Sequence, residues 1–486
     1  MDISGSTYRR ADFIWLAVIV ILATIVRVIG LDAPLWFDEI ATIGTHISLS
    51  WGDMIRDYSM NHHYFFSLQA KLSAVVFGDE IWAYRLPAMA FGVATVAAIW
   101  WLAKDIAGSA VAHGAAVLTA LSYHQVWFSQ NARGYTELAF WSTLGMIFFL
   151  RGMKTPTWRV WIAFGLSLAA AVFTHLTGAF FFAALGLVWI ITLLMPGAQM
   201  RTASHVGLPL FGALLGVGLV GLLYLPILPS VLETVGSVSG TSAVDPMQEY
   251  QNPLWTILEG VRTALGSAGV LASLVALSVL IVMTLGAVRA HRTAPLFVPA
   301  VLAHIALTIG SLLFLGMRIW PRFFFVDIGF FLVLIVIGSH VVAGMIARAI
   351  NRPQADGVLF AIAVAVMVLV SLGLLQRNYV APKQDMAAAF VLAEAIRQPD
   401  EPVYSMGPSG PIYQEYFEAD WENIRTPEDY EQAMAQPGPL ILVVTFPARM
   451  FRTIPKMKQD VAETLELVRR FRGTLGDGDV LVVRRK

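Results

Sequence analysis

The chain has 486 residues, 57% of them hydrophobic and 14% charged, and its 33 basic residues balance its 33 acidic ones. Apolar runs of about 18 or more residues recur along most of its length, the mark of a polytopic α-helical membrane protein rather than a soluble globule. Zero net charge offers no electrostatic footprint for nucleic acid. With no cysteine, disulfides, thiolate catalysis and cysteine-based metal sites are excluded.

Residues 1–11 are polar and carry Arg9 and Arg10 ahead of an apolar run over 12–30. No small-residue cleavage site follows that run, so it is expected to stay as an anchor. Residues 31–84 are only moderately apolar and predict a long first external loop. Within it, 51–60 reads as a short interfacial helix. Residues 63–77, interrupted by Gln69 and Lys71, read as a second helix lying in the interface. Ten further spans are predicted at 85–103, 109–128, 135–150, 160–173, 178–195, 206–228, 268–288, 296–314, 323–345 and 358–375, for about 11 in all.

The positive-inside rule supports this count. With a cytoplasmic N-terminus, the cytoplasmic connections carry Lys104, then Arg151, Lys154 and Arg159, then Arg201, then Arg289 and Arg292, then Arg348 and Arg352. Counting 63–77 as a span turns all of these outward. Beyond the last span the composition becomes charged and mixed. Helical character at 387–397 and 427–435, with strand character at 440–445 and 479–483, predicts a small external α/β domain over 377–486, behind a transmembrane domain over 1–376.

Ionisable groups near a membrane are costly and are functional candidates by default. Here they gather on the external side: Asp38, Glu39, His62, His63, Lys71, Arg85, Arg133, His175, Arg318 and Arg322. The cations suit a phosphate whose lipid tail stays in the bilayer. A partly dehydrated carboxylate in Leu35-Trp36-Phe37-Asp38-Glu39 suits a general base that takes the proton of an acceptor hydroxyl. The plainer alternatives are solvated loop charge around an aromatic belt, snorkelling arginines and hydrogen-bonded interior histidines. His62 and His63 with Asp38 have no ligand spacing that argues for a metal. No metal residue is assigned, and a divalent cation stays an alternative.

In order and spacing these motifs resemble the GT-C membrane glycosyltransferases, in particular the family of protein O-mannosyltransferases, aminoarabinose-to-lipid A transferases and lipopolysaccharide-core transferases. The resemblance runs from Trp36 to about Tyr379. Its parts are Leu35 to Glu39, Asn61-His62 before the interfacial helix, Tyr84-Arg85-Leu86-Pro87, Ser129-Gln130-Asn131-Ala132-Arg133-Gly134-Tyr135, Phe173-Thr174-His175 and Pro321-Arg322-Phe323. It implies a multi-pass protein of a bacterial plasma membrane with its site on the periplasmic face. The implied reaction moves a sugar, with inversion, from a polyprenyl-phosphate donor to a hydroxyl on a lipid, glycan or protein acceptor. The catalytic aspartate falls on Asp38 with Glu39 supporting it; Lys71, Arg85, Arg133 and Arg322 fall at the donor phosphate, and His62 and His175 shape the pocket. Many members carry prolines where His63 and Tyr64 stand here. The rival class is a transporter or flippase for an anionic lipid or lipid-linked sugar, which is expected to show broken helices or half-to-half symmetry at mid-bilayer.

Overall fold

The computed structural model describes residues 9–59, 62–195, 202–239, 269–316 and 319–485. Among them, the predicted spans correspond to long helices: α1 (Arg10–Val28), α5 (Ile81–Ala107), α8 (Tyr135–Lys154), α9 (Trp158–Thr174), α10 (Gly178–Leu194), α11 (Ala203–Tyr224), α13 (Gly269–Thr293), α14 (Phe297–Phe314), α15 (Phe325–Ala349) and α16 (Asp356–Val380). The predicted run at 109–128 is two helices, α6 (Ser109–Leu121) and α7 (Tyr123–Ser129). Among the described residues, seven helices are long and apolar enough to cross a membrane by themselves. α6, α9 and α10 are apolar but shorter.

The break at Ser122 is accommodated by a residue of α1. Arg27 of α1, fully buried, donates to the carbonyls of Ala120 at 3.0 Å and Thr119 at 3.4 Å, and to Ser129 Oγ at 3.0 Å. The guanidinium satisfies carbonyls that the broken helix leaves open. α13 and α15 pack backbone to backbone: a Cβ on Gly286 would strike the Leu334 carbonyl, and one on Gly338 the Val282 carbonyl. Small residues at such crossings let apolar helices approach closely where lipid supplies no hydrophobic drive.

The first loop carries α2 (Phe37–Thr42), a wide π-turn (Ile43–Ile47), α3 (Trp51–Met54) and α4 (Tyr64–Phe77), as the apolar pattern of 63–77 predicts. α12 (Leu228–Ser239) follows α11. Gln69, one of the interruptions in α4, donates to Glu137 Oε1 of α8 at 2.6 Å.

C-terminal to α16 come α17 (Met386–Ile396), α18 (Pro427–Ala435), α19 (Pro447–Thr453), α20 (Pro455–Glu463) and strands β1 (Val403–Met406), β2 (Glu422–Ile424), β3 (Leu440–Thr445), β4 (Glu466–Phe471) and β5 (Val480–Arg485). The sheet order is β2-β1-β3-β5-β4, with β1 parallel to β2 and β3, and β5 antiparallel to β3 and β4. Alternation sorts β3 between two cores: Leu440, Leu442 and Val444 face Tyr430, Ala433 and Met450, while Ile441 and Val443 face α17. The second core does not close on itself. It takes in Leu35 and Ile40 of the first loop.

Candidate active site

Asp38 and Glu39 are consecutive in α2, so their side chains leave the helix about 100° apart. They meet different surroundings. Glu39 points inward and is fully buried. Its two oxygens receive Nε and Nη2 of Arg85, each at 2.7 Å, and the Ala132 N–H at 2.7 Å. It also accepts the Trp36 N–H at 3.4 Å, closing the first turn of α2. Burial by itself would raise the Glu39 carboxyl. The charges of Arg85 and Lys383 and these hydrogen bonds outweigh it and hold the group below its ordinary range.

Arg85 and Lys71, expected at a donor phosphate, are turned instead to protein groups. The Arg85 Nη atoms donate to the carbonyls of Leu31 at 2.8 Å, Ala33 at 2.6 Å and Pro34 at 3.2 Å. With the two bonds to Glu39, every face of the guanidinium is spoken for. Lys71 Nζ donates to Ile47 O at 2.8 Å and to Leu49 O, and lies 5.3 Å from the Trp51 ring centre. Both cations shape the first loop by neutralising its inward-facing carbonyls. In the sequence such residues look like free charge; only the fold shows what satisfies them.

Asp38 faces the other way. Its Oδ2 lies 3.2 Å from Arg322 Nη1, and the two side chains are 14% and 31% exposed. Arg322 sits in the 3₁₀ turn Pro321–Phe324 that leads into α15, 5.3 Å from the Trp320 ring centre. Its Nε is buried with no hydrogen-bond partner among the described residues. A carboxylate and a guanidinium with unused donor capacity thus share a partly open position. Arg318 lies outside the described residues.

Arg133 lies in the turn between α7 and α8 and is almost fully buried. Its Nη1 donates to Thr42 Oγ1 at 2.9 Å, and that hydroxyl donates to the Asp38 carbonyl at 2.7 Å. Arg133 is therefore tied to the helix that carries Asp38. Next to it, His63 packs edge-on to Tyr135 at 4.5 Å and lies 4.6 Å from His175. Gly134 makes room for this: a Cβ there would come within 2.8 Å of Thr174 and 2.9 Å of Phe66. His175 Nδ1 is 2.7 Å from Thr177 Oγ1. Burial, reinforced by Arg133, pushes His175 down to about 3 and His63 well below its ordinary value. Burial, with His46 and Arg133, pushes His62 down to about 2. These are neutral imidazoles in the neutral pH range, suited to hydrogen bonding with uncharged groups rather than to charge neutralisation.

Several contributors were not legible as candidates. Gln384 Oε1 accepts the Phe37 N–H at 3.3 Å, and Phe446 packs edge-on to Phe37 at 5.2 Å, so the C-terminal region holds the residue just before Asp38. Lys383 donates to Gln130 O and lies 5.4 Å from the Trp127 ring centre. Burial, with Arg85 adding and Glu39 opposing, pushes its ammonium down to about 7. Trp36 Nε1 donates to Asn131 Oδ1 at 3.1 Å. Among the described residues, the group able to hold a metal ion is His46, Asp57 and His62, which includes neither Asp38 nor His63.

Residues 61–225 match the profile of the dolichyl-phosphate-mannose-protein mannosyltransferase family. That segment contains His62, His63, Lys71, Arg85, Arg133 and His175. No curated protein matches the sequence. Among solved structures, ArnT from Cupriavidus metallidurans in the apo state matches at 14% identity, over 97% of this chain and 98% of that one, with a TM-score of 0.51. The same protein bound to undecaprenyl phosphate matches at 12% identity over 97% of both chains, TM-score 0.48. The archaeal oligosaccharyltransferase AglB from Archaeoglobus fulgidus, in complex with an inhibitory peptide and a dolichol-phosphate, matches at 13% identity over 92% of this chain and 72% of that one, TM-score 0.45. The chain shares the fold of ArnT, and residues 61–225 match the dolichyl-phosphate-mannose-protein mannosyltransferase profile.

Proposed function

We propose that this protein transfers a sugar from a polyprenyl-phosphate donor to a hydroxyl acceptor at the external face of a membrane, with inversion. The observation that carries the reading is the Asp38–Arg322 pair: a partly exposed carboxylate 3.2 Å from a guanidinium whose Nε is unused. The family pattern over 61–225, named for a dolichyl-phosphate-mannose donor, supports the donor class.

In this reading the donor phosphate takes over Arg322 and frees Asp38 from its ion pair. Asp38 removes the proton of the acceptor hydroxyl as the acceptor oxygen attacks the anomeric carbon. The bond from that carbon to the phosphate oxygen breaks on the opposite side, and the prenyl phosphate leaves as an anion. One displacement inverts the anomeric configuration. Arg322, with Arg133 behind it, neutralises the charge that builds on the leaving phosphate, so electrostatic stabilisation takes the place of a general acid. Glu39 keeps Asp38 in place and exchanges no proton. The neutral rings of His63 and His175 suit hydrogen bonds to sugar hydroxyls.

The external placement rests on the basic residues of the alternate connections. Fusions of a topology reporter after Arg10, Lys154 and Lys486 are expected to read inside, inside and outside. The reaction is tested by incubating the purified chain with a panel of prenyl-phosphate sugars and measuring prenyl-phosphate release and the anomeric configuration of the product. Transbilayer movement of the lipid with no release from any donor would support the flippase reading instead.

A further inference from the structure

A second cluster lies in the first loop, away from the Asp38–Arg322 pair. His46 comes from the π-turn, Asp57 from the turn after α3, and His62 from the residues just before α4. One ligand atom from each lies within 4.8 Å of those from the other two. His46 Nδ1 is 3.2 Å from Asp57 Oδ2, and its Nε2 is 3.1 Å from Ser59 Oγ. The His62 ring stacks on His46 with centroids 3.8 Å apart and planes 8° from parallel.

An independent observation concerns His62. It is 2% exposed, and among the described residues neither ring nitrogen has a hydrogen-bond partner. The Asp57 backbone carbonyl acts on the ring electrostatically but does not meet hydrogen-bond geometry. A neutral imidazole carries one donor and one acceptor, and leaving such a buried group unsatisfied costs about 1–3 kcal/mol. A cation among the three side chains takes the acceptor lone pair and removes the acceptor's part of that cost.

We propose that His46, Asp57 and His62 bind one divalent transition-metal ion of the zinc class. Two imidazole nitrogens and one carboxylate oxygen are the donors zinc takes, whereas calcium and magnesium prefer all-oxygen shells. Ligation through His46 Nδ1 leaves its Nε2–H to donate to Ser59 Oγ, the outer contact that fixes tautomer and ring orientation. Asp57, whose side chain is 45% exposed, provides the way in and the movement needed to close the ligand atoms to bonding distance. Three protein ligands leave a fourth position for water. Arg133 opposes a further positive charge nearby, and the Asp57 carboxylate offsets it.

The ion joins the π-turn, the turn after α3 and the residues before α4 at one point. Thr42, which holds Arg133, directly precedes the π-turn that supplies His46. The ion therefore acts as a staple for the first loop and a positioning element for Arg133. Its binding does not depend on which reaction the chain performs.

The test uses the tag-free, full-length chain in detergent, stripped with chelator and titrated with Zn(II) alone by calorimetry, with metal content measured independently. One equivalent is expected to bind and to raise the melting temperature. His46→Ala, Asp57→Asn and His62→Ala are each expected to weaken binding by more than the ~10–100-fold that loss of an outer-shell partner costs, and Ser59→Ala by about that amount. Asp57→Asn and Ser59→Ala lie at more open positions, so they decide the matter if a histidine variant does not fold. Co(II) in place of zinc is expected to give the visible bands of a four-coordinate N/O site. Failure of the wild-type chain to bind Zn(II), or undiminished binding in Asp57→Asn and His46→Ala, would overturn the proposal.

Discussion

Glu39 and Arg85 form a closed, two-bond ion pair, 2.7 Å on each side, with neither side chain exposed. The pair joins α2 to α5 and, through Arg85, fixes the carbonyls of Leu31, Ala33 and Pro34. Breaking a buried pair from one side leaves an uncompensated charge and costs about 3–5 kcal/mol. Glu39→Gln and Arg85→Ala are therefore expected to lower the melting temperature by many degrees and to reduce the folded yield. Any loss of activity should follow the loss of folded protein. Because the folded Glu39 carboxyl is held below 4.5, its contribution is present above that pH and is lost as pH falls through the lower folded value. Melting curves and yields of folded chain check this.

Asp38→Asn is expected to behave in the opposite way. Asp38 is partly exposed and, among the described residues, pairs through its side chain with Arg322, so the fold should survive its neutralisation. If Asp38 is the base, turnover falls by about 10²–10⁴-fold, the usual contribution of a positioned acid–base group. Donor affinity is retained or rises, because a competing anion beside Arg322 is removed. Steady-state rates and donor binding on Asp38→Asn and Glu39→Gln side by side separate chemistry from scaffolding. A near-normal rate in Asp38→Asn contradicts the assignment.

Arg322→Ala is expected to weaken donor binding by roughly 10–100-fold, since a hydrogen bond to a charged group contributes about 1.5–3 kcal/mol. Arg322→Lys should recover only part of this, because a point charge lacks the planar fork. The difference should show in a phosphate-only competitor as well as in the whole donor. Equal affinities in all three proteins would remove Arg322 from the phosphate.

Gln384 belongs to the C-terminal region, yet it accepts the N–H of Phe37, one residue before Asp38. Gln384→Leu removes that acceptor at a modest stability cost of about 0.5–1.5 kcal/mol. Turnover is expected to fall about tenfold with little change in KM for the donor, because the base is displaced while the phosphate contacts remain. A change in KM alone would mean that Gln384 acts at the donor and not on α2.

Lys383 gives a pH test of the same junction. Its ammonium is pushed from 10.5 down to about 7 in the folded chain. Between those values the unfolded chain holds a proton that the folded chain has lost, so this group makes stability rise with pH across that window and removes the gain as pH falls toward 7. Lys383→Met is expected to flatten this part of the profile by several degrees. Melting temperatures of both proteins across the window measure it.

The sequence by itself determined the helical membrane architecture, because burial in lipid demands long apolar runs that any hydropathy pattern reveals. The predicted span positions agree with the helices found except at 109–128, which is two helices; α4 lies where its pattern put it, and Leu440–Thr445 is the central strand β3. It also gathered the polar residues of the first loop, since unexplained charge at a membrane edge stands out. What it left open was which of these charges are occupied. Asp38 and Glu39 look alike as neighbours, and only the direction of α2 sends one to Arg85 and the other to Arg322. The strand β4, exposed along most of its length, carried too little apolar alternation to be read. The carbonyls before the break at Ser122 are satisfied by an arginine 92 and 93 residues away. Lys383 reaches the turn after α7 across 253 residues, and Gln384 reaches the first loop across 347. Such pairings are decided by tertiary structure because a hydrogen bond depends on distance and direction in space, and local sequence carries neither for partners so far apart.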